Sequence, residues 1–302
     1  MLKIGVIGTG NMGRHHVRIY HEMPNVELVA ISDKDKNIRE RMKREYNIQT
    51  YENYEDMLTK VDAVSIAIPT IYHKKVALKC IQQNVDCLIE KPISSNLEDA
   101  KEIVDEAKKN KVILAVGHIE NFNPVVKELK RIIDDNILGN ILIISSKRVG
   151  PFVKRVKDIG IILDLATHEI GVIRYLLDVE KGDSVNLFSS WKGLNNEKGD
   201  YAMIVMEYKD TISNIEVNWH TPYKSREIIV TGSKAVAKVN YYDQKIQIHD
   251  YEWTKSLDMI KKEPLKLELN DFVNSVKNRA KPLVDGSEGL EILKLAVEAE
   301  SF

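Results

Sequence analysis

A glycine-rich loop near the N-terminus constrains the fold of this chain more than any other feature. The apolar run 2–7 is typical of a strand, the loop Gly8-Thr9-Gly10-Asn11-Met12-Gly13 follows at once, and residues 14–22 can continue as a helix. A second apolar run, 26–31, ends just before Asp33. Because a strand, a GxGxxG loop, a helix and a later acid occur in the Rossmann order, the loop predicts a dinucleotide-binding site. The alternative is a tight turn without a ligand.

We expect the glycines of this loop and the acid after the second strand each to have a specific role in binding a dinucleotide. Gly8 permits the tight turn, Gly10 lets backbone N–H groups approach a pyrophosphate, and Gly13 lets the helix pack closely on the strand. Asp33 would accept hydrogen bonds from the adenosine ribose and repel a 2′-phosphate, which favours NAD over NADP. Lys34 and Lys36 weaken this preference because either could reach a phosphate. Asp33 could instead cap the following helix.

Composition excludes several classes of protein. The chain has 302 residues, which favours two domains, and a net charge of −1 with both signs interspersed. This balance is not typical of a nucleic-acid or membrane-surface binder. Cys80 and Cys87 lie in apolar patterns, and we expect buried thiols there, neither a disulfide nor a metal site. We expect a cytoplasmic protein without a signal peptide, a membrane span or a nucleic-acid partner.

The first third of the chain alternates short apolar strands with amphipathic helices, which is typical of a doubly wound parallel sheet. We expect strands at 2–7, 26–31, 62–68, 86–89 and 112–116 and helices at 11–22, 35–46, 53–59, 72–83 and 97–109.

After residue 118 this alternation stops. We expect helices at 124–136 and 159–177, an antiparallel meander with strands at 184–191, 201–208, 211–219, 226–231, 235–241 and 244–249, and helices at 266–279 and 287–301. The predicted fold is therefore α/β, with a Rossmann domain over 1–118 and an α+β domain with a largely antiparallel open sheet over 119–302.

Two short motifs follow strands of the predicted parallel sheet. Ile68-Pro69-Thr70 ends one strand and precedes His73, and Glu90-Lys91-Pro92 follows the next. Ligands of such sheets lie beyond the carboxyl ends of the strands, so both motifs should border the cofactor. Lys91 suits a proton relay because the pKa of a lysine shifts readily. A helix-start histidine without a role and a solvated lysine are the alternatives.

Asp164 and His168 lie four residues apart in a very apolar run, so a regular helix would place them on one face. A carboxylate and an imidazole in such surroundings are costly unless they are paired or used in chemistry. The pair can act as a base, because a nearby carboxylate helps histidine accept a proton. A structural Asp–His hydrogen bond is the alternative, and no nearby ligand spacing indicates a metal.

Taken together, these motifs resemble those of the Gfo/Idh/MocA oxidoreductases over nearly the whole chain. The resemblance implies a catalytic group of Lys91, Asp164 and His168, a frequently cis Lys-Pro peptide, and NAD bound by Gly8, Thr9, Gly10, Asn11, Met12, Gly13, Asp33, Lys34, Ile68, Pro69, Thr70, His73, Glu90 and Lys91. Thr70 departs from the Asn that many members carry.

A narrower resemblance lies in the segment Val116–Pro124, which is similar to a Gly-His-x-Glu-Arg-Phe-Asn-Pro signature with Asn121 in place of Arg. The branch with this signature oxidises C3 of UDP-N-acetylated hexoses. The implied substrate contacts are Lys91, His118, Glu120, Asn121, Arg148, Asp164 and His168, with Lys147-Arg148 and Lys154-Arg155 offered as partners of a diphosphate.

The resemblance implies NAD-dependent oxidation of a secondary alcohol, with UDP-N-acetylglucosamine as the expected substrate. The alternatives are an inositol or free-sugar dehydrogenase, an NAD-using glycosidase, and a non-catalytic nucleotide-sensing regulator. Both faces of the segment Tyr201–Tyr208 are largely apolar, so we also expect a homodimer or homotetramer formed sheet to sheet.

Overall fold

Two compact units make up the described part of the chain. The computed structural model describes residues 1–152, 159–194 and 199–302. The first unit contains residues 1–118 and 265–290, and the second contains residues 119–264 and 291–302. The chain therefore leaves the first unit after residue 118 and returns to it for residues 265–290.

The first unit is built on a six-stranded parallel sheet of order β3-β2-β1-β4-β5-β6. Its strands are β1 (Leu2–Ile7), β2 (Val26–Ser32), β3 (Gln49–Tyr51), β4 (Ala63–Ile66), β5 (Asp86–Glu90) and β6 (Leu114–Gly117), and its helices are α1 (Gly13–Glu22), α2 (Lys36–Tyr46), α3 (Glu55–Leu58), α4 (His73–Gln82) and α5 (Leu97–Lys109). The strand order reverses beside β1, so the carboxyl ends of β1 and β4 flank the crevice where such sheets bind ligands.

The return segment 265–290 packs on the last strand of this sheet. It contains most of α8 (Pro264–Asn278) and the start of α9 (Gly286–Glu300). Asp285 forms an antiparallel bridge with Ala115, and a Cβ on Gly286 would lie 2.3 Å from a Leu114 methyl. The predicted division placed 119–302 in one domain, whereas the structure places 265–290 with the first unit. Local sequence periodicity does not reveal such a long-range contact.

The second unit contains an eight-stranded sheet of order β14-β13-β12-β11-β7-β10-β9-β8. Its strands are β7 (Ile141–Pro151), β8 (Asn186–Lys192), β9 (Tyr201–Tyr208), β10 (Thr211–Asn218), β11 (His220–Gly232), β12 (Val236–Asn240), β13 (Lys245–His249) and β14 (Thr254–Leu257). Helices α6 (Pro124–Asp134) and α7 (Thr167–Leu176) pack on one face. All neighbouring strands are antiparallel except β7 and β10, so the predicted fold class is confirmed.

The prediction of a simple meander was wrong. Strand β7 lies between β10 and β11, which are consecutive in the chain. The sequence pattern missed β7 because the polar run 145–148 interrupts its apolar residues. It also missed β3 and β14, which are short strands at the sheet edges, where little side-chain burial marks a strand.

The predicted helix over 159–177 is present, but it is not a regular α-helix throughout. A π-helical turn covers Ile162–Ala166, and the α-helix begins only at Thr167. Both cysteines are buried free thiols, as predicted. Within the described ranges, none of the helices has the length and apolar character that a membrane span requires.

Candidate active site

The loop after β1 has the backbone geometry of a phosphate-binding turn. Gly8 has a φ of +83°, which favours glycine, and a Cβ on Gly13 would lie 1.8 Å from the Gly8 carbonyl oxygen. A Cβ on Gly10 would meet no atom within 4 Å. The open space in front of Gly10, at the entrance to α1, leaves room for a phosphate against the backbone N–H groups.

Asp33 follows β2 and is tied to the glycine loop. The Thr9 backbone N–H and the Thr9 hydroxyl donate to Asp33 Oδ2 at 2.8 and 3.0 Å. Helix α2 is capped by Asp35, which accepts from the N–H groups of Asn37 and Ile38, so the alternative role of Asp33 as a helix cap is wrong. The Asp35 backbone N–H donates to Asp33 Oδ1 at 2.9 Å, and the half-buried carboxylate retains one acceptor position for a ribose hydroxyl.

The segment after β4 contains several predicted cofactor contacts, some of them exposed and others buried. Pro69 is exposed, Thr70 is buried, and the exposed Tyr72 ring lies 5.9 Å below the ammonium of Lys34. His73 is buried at the start of α4. Its Nδ1 lies 3.0 Å from the Pro92 carbonyl oxygen and its Nε2 lies 2.9 Å from that of Ile68. Both ring nitrogens therefore face backbone, and the cofactor role of His73 stays a prediction.

The Glu90-Lys91-Pro92 tripeptide ends β5, and its Lys-Pro peptide bond is cis, as the resemblance implied. The buried His16 of α1 donates from Nε2 to Glu90 Oε1 at 2.9 Å. In the sheet Glu90 pairs with Gly117, so Lys91 and His118 are the next residues of two neighbouring strands. Burial and the positive charge of Lys91 lower the pKa of His118 to about 3.

Asp164 lies inside the π-helical turn, and His168 lies in the first turn of α7. Both are half-buried, whereas Leu163, Ala166 and Thr167 around them are buried. Both positions are therefore more accessible than most of their neighbours in this segment. Because π-turns occur frequently at functional sites, the irregular backbone at Asp164 favours a role in chemistry.

A buried ion network occupies the helix-covered face of the second sheet. Arg148 of β7 donates from Nη2 to Glu120 Oε1 at 2.9 Å and from Nε to Glu169 Oε1 at 2.5 Å. Arg226, which pairs with Arg148 in the sheet, donates to the same Glu120 oxygen at 3.1 Å. Tyr241 donates to Glu169 Oε2 at 3.1 Å. Two carboxylates thus balance two guanidinium groups.

The electrostatics of this network keep it ionised. Burial alone would raise the pKa of Glu120, but the charges of Arg148 and Arg226 outweigh burial and lower it. Burial opposes the charge of Arg148, and Glu169 and Glu120 nevertheless raise its pKa. Neither Glu169 nor Arg226 was among the predicted site residues. Glu169 could have been found as a second acid in the apolar run around His168, whereas Arg226 lies in the polar first half of β11, which gives no such signal.

The predicted substrate contacts other than Lys91, Asp164 and His168 are almost fully buried. His118, Glu120, Asn121 and Arg148 are each at most 4% exposed. Their substrate roles stay predictions, and the ion network favours a positioning role for Glu120 and Arg148. Lys147 pairs with Glu216 at 3.2 Å, and Lys154 and Arg155 lie outside the described residues.

Metal ligands do not converge in the described ranges 1–152, 159–194 and 199–302. No group of three or more His, Cys, Asp or Glu side chains there is arranged to hold a metal ion.

Comparison with known families agrees with the two folds. A family model described as "Oxidoreductase family, NAD-binding Rossmann fold" matches residues 2–118, and one described as "Oxidoreductase family, C-terminal alpha/beta domain" matches residues 130–299. The chain belongs to the Gfo/Idh/MocA oxidoreductase family. The predicted family, the predicted NAD cofactor and the prediction of an oxidoreductase are thereby confirmed.

Individual relatives of this Gfo/Idh/MocA member differ in the substrates they are named for. UDP-N-acetylglucosamine 3-dehydrogenase from Acidithiobacillus ferrooxidans is 25% identical over 318 residues, covering 98% of this chain and 96% of the relative. Its solved structure has a TM-score of 0.90 and covers 99% of this chain and 97% of the relative. Myo-inositol 2-dehydrogenase from Thermotoga maritima is 26% identical over 324 residues, covering 99% and 95%.

The residues present fit NAD. The open space at Gly10 and the positive φ of Gly8 suit a pyrophosphate, and the remaining acceptor position of Asp33 suits a ribose hydroxyl. When bound, NAD supplies the hydride acceptor, and the protein supplies binding, orientation and proton handling.

Proposed function

We propose that this oxidoreductase oxidises the C3 hydroxyl of UDP-N-acetylglucosamine to a 3-keto sugar. The observation that carries the proposal is the nearly full-length similarity to a UDP-N-acetylglucosamine 3-dehydrogenase, in sequence and in fold. The signature-like segment His118–Pro124 supports it independently, because the motif recurs with a single change, Asn121.

Three residues would handle the proton of the reacting hydroxyl. His168 accepts it as general base, and Asp164 orients the imidazole and stabilises its charge. Lys91 donates a hydrogen bond to the reacting oxygen and can relay the proton. These roles are carried over from the family resemblance. The half-buried positions of all three side chains are consistent with them, because such groups can meet a substrate and still be partly desolvated.

A second candidate is oxidation of an inositol. The observation in its favour is the similarity to myo-inositol 2-dehydrogenase, which is as extensive as that to the nucleotide-sugar enzyme. The same proton chemistry would serve both, since each substrate is a secondary alcohol on a ring. A glycosidase or a regulator would show no net reduction of NAD with any of these alcohols.

A substrate screen tests the proposal. UDP-N-acetylglucosamine, UDP-glucose, free glucose and myo-inositol are each incubated with the protein and NAD, with a carbonyl trap present because equilibrium opposes such oxidations. We expect reduced-cofactor absorbance with UDP-N-acetylglucosamine and a 3-keto product by mass spectrometry. Turnover of inositol or glucose without turnover of any UDP-sugar would overturn the substrate assignment.

A further inference from the structure

Three buried histidines lie around the Glu90-Lys91-Pro92 tripeptide, and two of them contact its first and last residues. His16 of α1 contacts the Glu90 carboxylate, and His73 of α4 faces the Pro92 carbonyl. His118 follows the residue that pairs with Glu90, which places it beside Lys91 on the neighbouring strand. All three are at most 1% exposed, so none is available as a surface ligand.

The contact of His16 satisfies a carboxylate that has little access to water. The Glu90 side chain is only 13% exposed, and its carboxyl carbon would lie 3.2 Å from a Cβ on Gly117. A buried acceptor without a donor costs about 1–3 kcal/mol. The Nε2–H of His16 supplies that donor and thereby joins the start of α1 to the end of β5.

The contacts of His73 join two neighbouring strand ends. One ring nitrogen faces the Ile68 carbonyl after β4, and the other faces the Pro92 carbonyl after β5. A carbonyl only accepts, so each contact needs an N–H, and a neutral imidazole has one. Because burial lowers the pKa of His73, the neutral ring is favoured, and the tautomer selects which strand end is bonded.

We propose that His16 and His73 are positioning residues that hold Lys91 through the side chain before it and the backbone after it. The inference rests on the proposed function only in the assignment of Lys91 to the reaction. Its physical basis is that catalytic groups misplaced by about 1 Å lose on the order of a hundredfold in rate. Helices α1 and α4 thus converge on the short loop after β5.

A crossed pair of substitutions tests the proposal. Glutamine places its amide nitrogen near histidine Nε2, and asparagine places it near Nδ1. At position 16 we therefore expect His16→Gln to preserve the contact with Glu90 and His16→Asn to lose it. At position 73 the proposal requires the tautomer with its N–H on Nδ1, which bonds Pro92, so we expect the reverse: His73→Asn should preserve that contact and His73→Gln should lose it. His21→Asn, on the exposed side of α1, is the control.

The first readout needs no substrate. The acetylation rate of Lys91 by an amine-reactive ester is followed by peptide mass spectrometry relative to the exposed Lys101, with and without NAD. We expect His16→Asn and His73→Gln to raise the acetylation rate of Lys91 about threefold or more. In His16→Gln and His73→Asn this rate should stay within twofold of the wild-type rate. NAD affinity by calorimetry should stay within about threefold in all four.

The second readout is turnover of whichever alcohol the screen identifies. His16→Asn and His73→Gln should lower kcat by about tenfold, with KM for NAD nearly unchanged. His16→Gln and His73→Asn should retain most of the wild-type kcat. Equal effects of asparagine and glutamine at each position, or an unchanged Lys91 rate in all folded variants, would overturn the positioning role. If the wild type turns over no UDP-sugar, the proposed function fails, and the acetylation pattern still decides this inference.

Discussion

Asp33 is the residue on which cofactor choice depends. We expect NAD to bind more tightly than NADP, because the carboxylate after β2 repels a 2′-phosphate. Asp33→Ala should lower the ratio of the Kd for NADP to the Kd for NAD by about tenfold, measured by calorimetry with both cofactors. Asp35→Ala is the matched control, since it removes the side chain that caps α2 and leaves the backbone N–H that donates to Asp33. Equal affinities in the wild type would show that Lys34 or Lys36 overrides the acid.

Lys91 and His168 should affect turnover far more than stability. We expect Lys91→Ala and His168→Ala each to lower kcat by about a hundredfold or more, because proton transfer by a positioned group contributes about that much. Cofactor affinity should survive, which calorimetry checks, and Lys101→Ala should leave kcat unchanged. Near-normal turnover in either variant would disprove the role assigned to that residue.

His118 should make the protein sensitive to acid. Its pKa is about 3 in the folded chain and 6.5 as an ordinary histidine, so between these values the unfolded chain binds the extra proton. Stability is therefore undiminished above pH 6.5 and falls by up to about 1.4 kcal/mol per pH unit below it. Denaturant titrations at pH 7 and pH 5 should show a smaller loss in His118→Gln. An identical loss in both chains would contradict the buried neutral state.

Helix α7 is the element that the ion network fixes in place. Glu169 accepts from Arg148 and Tyr241, and a buried charge left without its partner costs about 3–5 kcal/mol. We expect Glu169→Gln to lower the free energy of unfolding by about that amount in urea titrations. Glu128→Gln, which removes a surface pair with Arg131 on α6, should cost under about 1 kcal/mol. Equal costs would mean that Arg148 is balanced elsewhere.

The π-helical turn is a feature that the local sequence pattern is not sufficient to predict. The apolar run around Asp164 predicts a helix, and a helix forms there, but its hydrogen-bond register changes over Ile162–Ala166. Propensity cannot distinguish the two registers, because the same residues suit both. Packing against the sheet selects between them, so the positions of Asp164 and His168 depend on tertiary contacts.

The open face of the second sheet bears on assembly of the whole molecule. Strand β9 buries Ala202, Ile204 and Met206. On the open face, Met203 of β9 and Ile212 of the adjacent strand β10 are 44% and 49% exposed. Apolar faces of this kind are typical of interaction surfaces. We expect a dimer or tetramer in sedimentation at micromolar concentration.

A pair of lysine substitutions tests whether the open face of the second sheet forms the contact between copies. Met203→Lys with Ile212→Lys should shift the protein toward monomer, because like charges would then face the partner copy. Ile71→Lys, at a still more exposed apolar position in the first unit, should leave the assembly unchanged. A wild-type monomer, or an unchanged assembly in the double variant, would contradict the sheet-to-sheet prediction.

The sequence alone determined the Rossmann unit, the β-rich second half and the positions of Asp33 and Lys91. Each of these depends on residues within one strand–loop–helix unit, where hydrophobic period and glycine chemistry act locally. Only the tertiary structure decided that β7 enters the middle of the second sheet, that 265–290 returns to the first unit, and that Arg148 is paired with Glu169. It also brought His16 to Glu90, 74 positions away. Contacts of such separation are set by the packing of whole elements, and no local pattern of residues encodes which element lies opposite.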